Sequence, residues 1–283
     1  MGIFCMTNPE QHRPIDISTG ISVSPTPVVE NIDTEAPTGE PRYPSSPSEW
    51  ANFPVKTVYY RDEKGARGRR LYVDGWSVME DWEEPLQKKV VADMFQHIHS
   101  DVPRILIRGE GLGIATKETI EQMQNRGGGI LHVQELHPVI MENGKKRVTR
   151  LLGNEAGDER IKVIWHLGES IEDTKSFPDN YLDGINSDTF PLSKEQKDYN
   201  DFVDHDTVVR VLRPTGVFSG FIGHPHPTER QLAYFSKYFR NYTGGSVLVN
   251  PPKNCPYYNE NSMGYIVGLR PIKPLAHDIP GYA

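Results

Sequence analysis

The chain has 283 residues, a net charge of -7 and 36% apolar residues. That acidic balance argues against nucleic acid as the main ligand, which favours a basic face. No run approaches the ~18 apolar residues of a membrane span, and no basic-then-apolar leader opens the chain. Two cysteines, Cys5 and Cys255, make neither a disulfide framework nor a zinc spacing. The expectation is a cytoplasmic protein that handles a small molecule, with no nucleic acid and no membrane as partner.

Residues 1–54 carry nine prolines and few large apolar residues. They read as a Pro-rich, disordered or loosely packed segment in which no long helix fits. Val55–Tyr60 predicts a short strand and Lys64–Arg70 a basic turn. From Trp76 the pattern reads as helical, with Val90, Val91, Met94, Phe95 and Ile98 on one face. Ile105–Ile107 predicts a buried strand, followed by a glycine turn at Gly109, Gly111 and Gly113 and a helix over Ile114–Asn125. Further strands are predicted at Ile130–Val133, Ile161–Trp165, Leu182–Ile185 and Val217–Ile222. Helices are predicted at Pro138–Leu152, Lys194–Leu212 and Thr228–Arg240. Two last strands, Ser246–Asn250 and Met263–Leu269, precede a tail from Pro271 to Ala283. Alternating strands and helices predict an α/β fold: a mostly parallel sheet with helices on both faces. The predicted organisation is the N-terminal segment 1–54, a catalytic-type domain over 55–270, and a tail over 271–283.

A glycine turn after the first strand of such a sheet is where a nucleotide-like ligand sits, because glycine has no Cβ in the way. A carboxylate leaving a later strand is placed to meet a second substrate. Two acids stand in marked contexts: Glu83 within Met79-Glu80-Asp81-Trp82-Glu83-Glu84-Pro85, and Asp188 within Asp183-Gly184-Ile185-Asn186-Ser187-Asp188-Thr189-Phe190. The plainer alternative is that Glu83 caps the helix beginning near Pro85 and that Asp188 forms an Asx-turn. His224-Pro225-His226 has no third ligand nearby and reads as solvent-facing, so no metal site is predicted. His166, at the end of the third predicted strand of the parallel series, is a minor acid–base candidate.

These two motifs resemble the guanidinoacetate methyltransferase family, to which the arginine δ-N-methyltransferases are related. The resemblance runs from about Leu71 to Arg270. It includes Arg210-Val211-Leu212-Arg213-Pro214-Thr215-Gly216, Val249-Asn250-Pro251-Pro252 and Cys255-Pro256-Tyr257-Tyr258. It implies the seven-stranded class I methyltransferase (Rossmann-like) fold, with the last hairpin at one edge. It also implies S-adenosylmethionine as cofactor, held by Met79, Gly109, Gly111, Gln134, Glu135, Glu169 and Ser170. It implies a small guanidino or amino acceptor held by Glu83, Asp188, Thr189 and Phe190, with Asp188 taking a proton and Glu83 orienting the acceptor. The family's N-terminal segment closes over its ligands, a role open here to Tyr43, Trp50 or Phe53.

The cofactor loop departs from the family. Ile107 stands where an acid is expected, Arg108 and Glu110 where apolar residues are expected, and Gln134 where a carboxylate would take both ribose hydroxyls. Glu169-Ser170-Ile171-Glu172 replaces the family's adenine-facing Leu-Trp-Glu-Asp. A glutamine accepts only through its one carbonyl oxygen. Strand alternation turns Glu135 to the face opposite Gln134. The alternative expectation is therefore an enzyme of this fold that has lost methyl transfer and acts as a cyclase, isomerase or lyase in specialised metabolism.

Overall fold

The computed structural model describes residues 42–61, 65, 67–153, 159–192, 205–253, 255 and 257–273. All of them fall within the unit Ile32–Ala283. Seven strands form the main sheet: β4 (Arg104–Arg108), β5 (Gly129–Glu135), β6 (Ile161–Leu167), β7 (Leu182–Ser187), β8 (Leu212–Phe221), β9 (Phe239–Leu248) and β10 (Ser262–Pro271). Their order is β6-β5-β4-β7-β8-β10-β9. The first five are parallel, while β10 runs antiparallel to both β8 and β9. The expected edge hairpin is thus present.

Side-chain alternation along β4 divides the core. Ile105 and Ile107 join one apolar cluster, with Leu86, Val90, Val91, Met94 and Phe95 of α2 (Glu84–Gln96) and Ile120 and Met123 of α3 (Ile114–Arg126). Leu106 joins the other, with Val208 of a helix over His205–Val211 and Phe235 of one over Glu229–Tyr238. A strand covered on both faces needs apolar residues at successive positions, which Ile105-Leu106-Ile107 supplies. Two further helices flank the site: α4 (Pro138–Leu152) and α5 (Ser170–Lys175). No helix among the described residues is long and apolar enough to cross a membrane.

A second, three-stranded antiparallel sheet precedes the main one: β1 (Val55–Arg61), β2 (Arg67–Val73) and β3 (Trp76–Glu80). Here two expectations fail. Much of the basic turn predicted over Lys64–Arg70 is strand, and the stretch from Trp76 is strand, then a 3-10 turn over Asp81–Glu83, before the helix begins at Glu84. The signal was present as Asp74-Gly75. Both residues take positive φ and link Val73 to Trp76 in register, the geometry of a two-residue hairpin. Part of the helix predicted over Lys194–Leu212 lies outside the described residues; the rest is helical to Val211, and Leu212 already opens β8. The strand predicted at Ser246–Asn250 begins earlier, at Phe239, and ends at Leu248.

Of the predicted loose segment, residues 1–41 lie outside the described residues. The remainder is packed. Pro47–Trp50 forms a one-turn helix with Ser46 as N-cap, and Trp50 and Phe53 are buried against Leu71, Val73, Met79, Leu112, Ile114 and Ile140. That cluster joins the N-terminal segment and the small sheet to the glycine turn.

Candidate active site

The strand order reverses at β4, which bonds to β5 on one side and β7 on the other. A crevice forms outside the carboxyl ends of the strands at such a switch point. Gly109 leaves β4 there with φ +89, and a Cβ at that position would overlap the carbonyl oxygen of Asp188. The Asp188 amide in turn donates to the Arg108 carbonyl at 3.0 Å. The glycine turn and Asp188 are therefore locked together through backbone.

A cavity of about 950 Å³ opens at this edge. Every residue that the resemblance assigns to cofactor or acceptor lines it: Met79, Glu83, Gly109, Gly111, Gln134, Glu135, Glu169, Ser170, Asp188, Thr189 and Phe190. The structure thus gathers residues that are more than a hundred positions apart in the chain.

Glu83 and Asp188 are held in parallel fashion. Glu83 is 8% exposed. Its Oε1 accepts from the Tyr257 hydroxyl at 2.5 Å and from the Glu80 backbone amide at 2.8 Å. Asp188 Oδ2 accepts from Gln87 Nε2. Neither Glu83 Oε2 nor Asp188 Oδ1 has a partner among the described residues. Burial pushes both carboxyls above the ordinary carboxylate range, and the Asp188 charge pushes Glu83 further. The Tyr257 hydroxyl is pushed up too, by its own burial and by Glu83. The arrangement leaves two carboxyls with no cationic partner among the described residues, which disfavours ionising both until a planar cation with paired N–H donors is bound between them.

The plainer role for Glu83 is present as well. The Glu80–Glu83 pair closes a capping box on the 3-10 turn, although Glu83 makes no side-chain cap to α2. One oxygen serves the backbone and the other faces the cavity. Tyr257 and Gln87 were not identified as site residues from sequence. Gln87 stands four residues after Glu83, the spacing that places two side chains on one helix face, so that signal was available. Tyr257 lies in a quoted motif, but its reach to Glu83 is a tertiary fact.

The other half of the cavity differs. Register pairs Arg108 with Gln134 and Gln134 with His166, so these three side chains share one face. Gln134 Oε1 accepts from Thr174 at 3.3 Å. Its Nε2 is buried and has no partner among the described residues. Glu135 faces the opposite way: Oε2 accepts from the amides of Glu110 at 3.0 Å and Gly111 at 3.5 Å, and Oε1 accepts from the His137 amide at 2.8 Å. Its carboxylate is committed to holding the glycine turn. Glu169 caps α5 by accepting from the Glu172 amide at 3.1 Å, and Ser170 Oγ accepts from Arg108 at 3.2 Å. Met79 Sδ accepts from the Leu112 amide at 3.0 Å, which ties β3 to the turn. His166 is absent from the lining; its ring bonds that of His132 at 2.9 Å.

An aromatic wall closes the cavity from the N-terminal side. Trp50 stacks on Phe190 with centroids 5.2 Å apart and planes 13° apart, and Tyr43 meets Trp76 at 4.7 Å. Tyr43 and Trp50 therefore occupy the closing position, while Phe53 sits in the core beneath.

The family model for guanidinoacetate N-methyltransferase matches residues 60–222, a stretch that contains Glu83, the glycine turn and Asp188. Protein arginine N-methyltransferase 2 of Yarrowia lipolytica (strain CLIB 122 / E 150) is 32% identical over 166 residues, which are 56% of this chain and 30% of that protein. The match thus spans under a third of that relative's length. Spermidine synthase from Thermotoga maritima superposes with a TM-score of 0.51 at 17% identity, covering 76% of this chain and 71% of that one. A spermidine synthase in complex with the transition-state analogue AdoDATO gives 0.52 at 16% identity, covering 76% and 72%. At such identities the likeness is one of fold.

Proposed function

Because the chain belongs to the guanidinoacetate N-methyltransferase family, we propose that it is an S-adenosylmethionine-dependent N-methyltransferase acting on a small guanidino or amino acceptor. The observation that carries this reading is the pair of buried Glu83 and half-buried Asp188, each with one oxygen anchored, on the wall of a cavity of about 950 Å³. The cofactor fits the other half. The glycine turn admits close approach of a ligand, and the orphaned Gln134 Nε2 is a donor that a ribose hydroxyl oxygen would satisfy. Met79, Gly109, Gly111, Gln134, Glu169 and Ser170 would hold it, with Glu135 fixing the turn against which it lies. When bound, it supplies an electrophilic methyl group.

The chain's own residues supply the rest. Binding of a cationic acceptor between Glu83 and Asp188 favours the ionised form of both carboxyls. Asp188 Oδ1 then takes the proton that must leave the acceptor nitrogen. Glu83, fixed by Tyr257 and the Glu80 amide, holds the remaining N–H donors and the orientation. Trp50, Trp76 and Phe190 keep water from the reacting centre. Most of the rate advantage comes from positioning, which contributes up to ~7–11 kcal/mol in well-oriented systems.

One observation favours a second reading. Gln134 cannot grip two hydroxyls as a carboxylate does, and Glu135 is already spent on the turn. An enzyme of this family that has exchanged methyl transfer for acid–base chemistry by Glu83 and Asp188, as a cyclase, isomerase or lyase, would show these changes. Calorimetry separates the two. Micromolar affinity for S-adenosylmethionine and its demethylated product is expected; no heat at millimolar ligand removes methyl transfer and leaves the second reading.

A further inference from the structure

A second cavity, of about 700 Å³, lies against the glycine turn, between the start of β2, the head of α3 and the later half of α4. Its chemistry is unlike the first. Six of its lining residues are Lys or Arg and four are Asp or Glu, in a chain whose net charge is -7. Most of the acids are neutralised locally: Asp81 by Arg69, Glu84 by Lys88 and Glu110 by Arg147, each at 2.8 Å. Arg67 and Arg150 have no ion-pair partner among the described residues. The lining therefore carries a formal surplus of two cations, offset in part by Glu121, which Lys117 reaches at 3.8 Å.

Arg147 connects this cavity to the turn. Its Nη2 donates to Glu110 Oε1 at 2.8 Å and to the Gly111 carbonyl at 3.0 Å. Its Nε is buried and has no hydrogen-bond partner among the described residues. Glu110, a charged residue where the family carries an apolar one, does not line the first cavity; it turns into the second and also accepts from Thr116 at 2.5 Å. The divergent residue of the glycine turn is thus the partner of an arginine that lines a different cavity.

We propose that this second cavity binds a small phosphoryl-bearing polyanion through Arg67, Arg147 and Arg150, and that its occupancy loosens the glycine turn by drawing Arg147 from Glu110. A guanidinium grips an oxyanion best through two adjacent donors. At Arg147 the orphaned Nε and the engaged Nη2 form such a fork, so an incoming anion competes with Glu110 for Nη2. The site does not depend on methyl transfer, and neither does its test.

Inorganic pyrophosphate is titrated into the full chain at fixed ionic strength, with calorimetric readout. Saturable binding at submillimolar concentration is expected. Arg67→Glu combined with Arg150→Glu should weaken it at least about tenfold, close to 1.4 kcal/mol, without moving the melting temperature, because both side chains are exposed and have no ion-pair partner among the described residues. Amide hydrogen exchange at positions 109–113 should speed up at saturating pyrophosphate and stay unchanged in sodium chloride of equal ionic strength. No heat at millimolar pyrophosphate, or equal affinity in the charge-reversed variant, overturns the site. Binding without faster exchange in the turn, or the same acceleration in sodium chloride, overturns the coupling.

Discussion

The two halves of the main cavity rest on the same sheet edge but have fared differently. On the acceptor side, Glu83 and Asp188 each keep one oxygen anchored and one free. On the cofactor side, the one well-placed carboxylate, Glu135, is consumed by amides of the glycine turn, and Gln134 offers a donor in its place. What persists across both halves is backbone: the positive-φ turn at Gly109 and its contact with the Asp188 carbonyl. Backbone geometry is set by strand order and by residues without a Cβ, so it tolerates changes in side-chain chemistry that ligand recognition does not.

The sharpest break of this comparison is on the acceptor side. Asp188→Asn keeps the shape and one acceptor oxygen but removes the base. Turnover of the acceptor should fall by roughly 10²–10⁴, the usual contribution of a positioned general base, while cofactor affinity stays within about twofold. Steady-state kinetics beside calorimetry decides it; full turnover in the variant removes Asp188 from the proton transfer. Next in size is the shared backbone. Gly109→Ala forces both a left-handed conformation on a residue with a side chain and an overlap with the Asp188 carbonyl. Gly153 has φ +84 but open space around it, so Gly153→Ala carries the conformational cost alone. Urea unfolding should show a loss of about 1 kcal/mol at position 153 and about 3 kcal/mol or more at 109. Equal losses would mean that the contact between turn and aspartate does not constrain the fold.

The acceptor side also carries a pH signature. Burial and the Asp188 charge raise Glu83 from 4.5 to about 8, and burial raises Asp188. Between the unfolded and folded values, the native state holds protons that the unfolded chain has released. Stability is therefore greatest below the unfolded value and is lost as pH rises toward the folded one. Glu80, Glu110 and Glu135 are raised by burial as well, so the wild-type slope is a sum. Comparison with Glu83→Gln/Asp188→Asn isolates the pair. Between roughly pH 5 and pH 8 the wild type should lose about 2 kcal/mol more than the double variant, measured by urea unfolding at each pH. Parallel slopes would show that the two carboxyls are already ionised in the empty cavity.

The parallel core was readable because its signals are local and periodic. Ile105-Leu106-Ile107 marks a strand covered on both faces, and the glycines after it mark the turn. The small sheet escaped because Arg67-Gly68-Arg69-Arg70 looks like a solvated turn. In the fold, Arg70 pairs with Glu80 at 2.8 Å with both side chains buried, and Arg69 pairs with Asp81. Charge conceals a strand when the partner charge lies across the sheet, although Asp74-Gly75 gave the hairpin away. In the site, residues marked by type were found, whereas Tyr257 acts by reaching 174 positions back to Glu83. Glu110 was readable as a departure and Glu135 as a cofactor residue, but neither as a partner within the fold, because their hydrogen bonds run to backbone amides, Thr116 and Arg147.

The smallest expected effect tests whether the cofactor side has changed its ligand or only its grip. Restoring acids at both divergent strand positions is a poor test, because Ile107 is fully enclosed in the core with Leu131 and Val133, and a carboxylate there would be buried without a partner. Gln134→Glu is the cleaner probe. Thr174, whose one hydroxyl proton is now shared between the Ser170 carbonyl and Gln134 Oε1, can turn it to the new carboxylate, and Arg108 lies in the same row to offset its charge. A carboxylate accepts from two ribose hydroxyls in charge-assisted bonds, roughly twice as strong as neutral ones. Affinity for S-adenosylmethionine should rise about tenfold, near 1.4 kcal/mol. If affinity falls instead, the Gln134 amide is donating to an acceptor atom on the natural ligand, and the two halves of the cavity differ in what they bind rather than in how tightly they bind it.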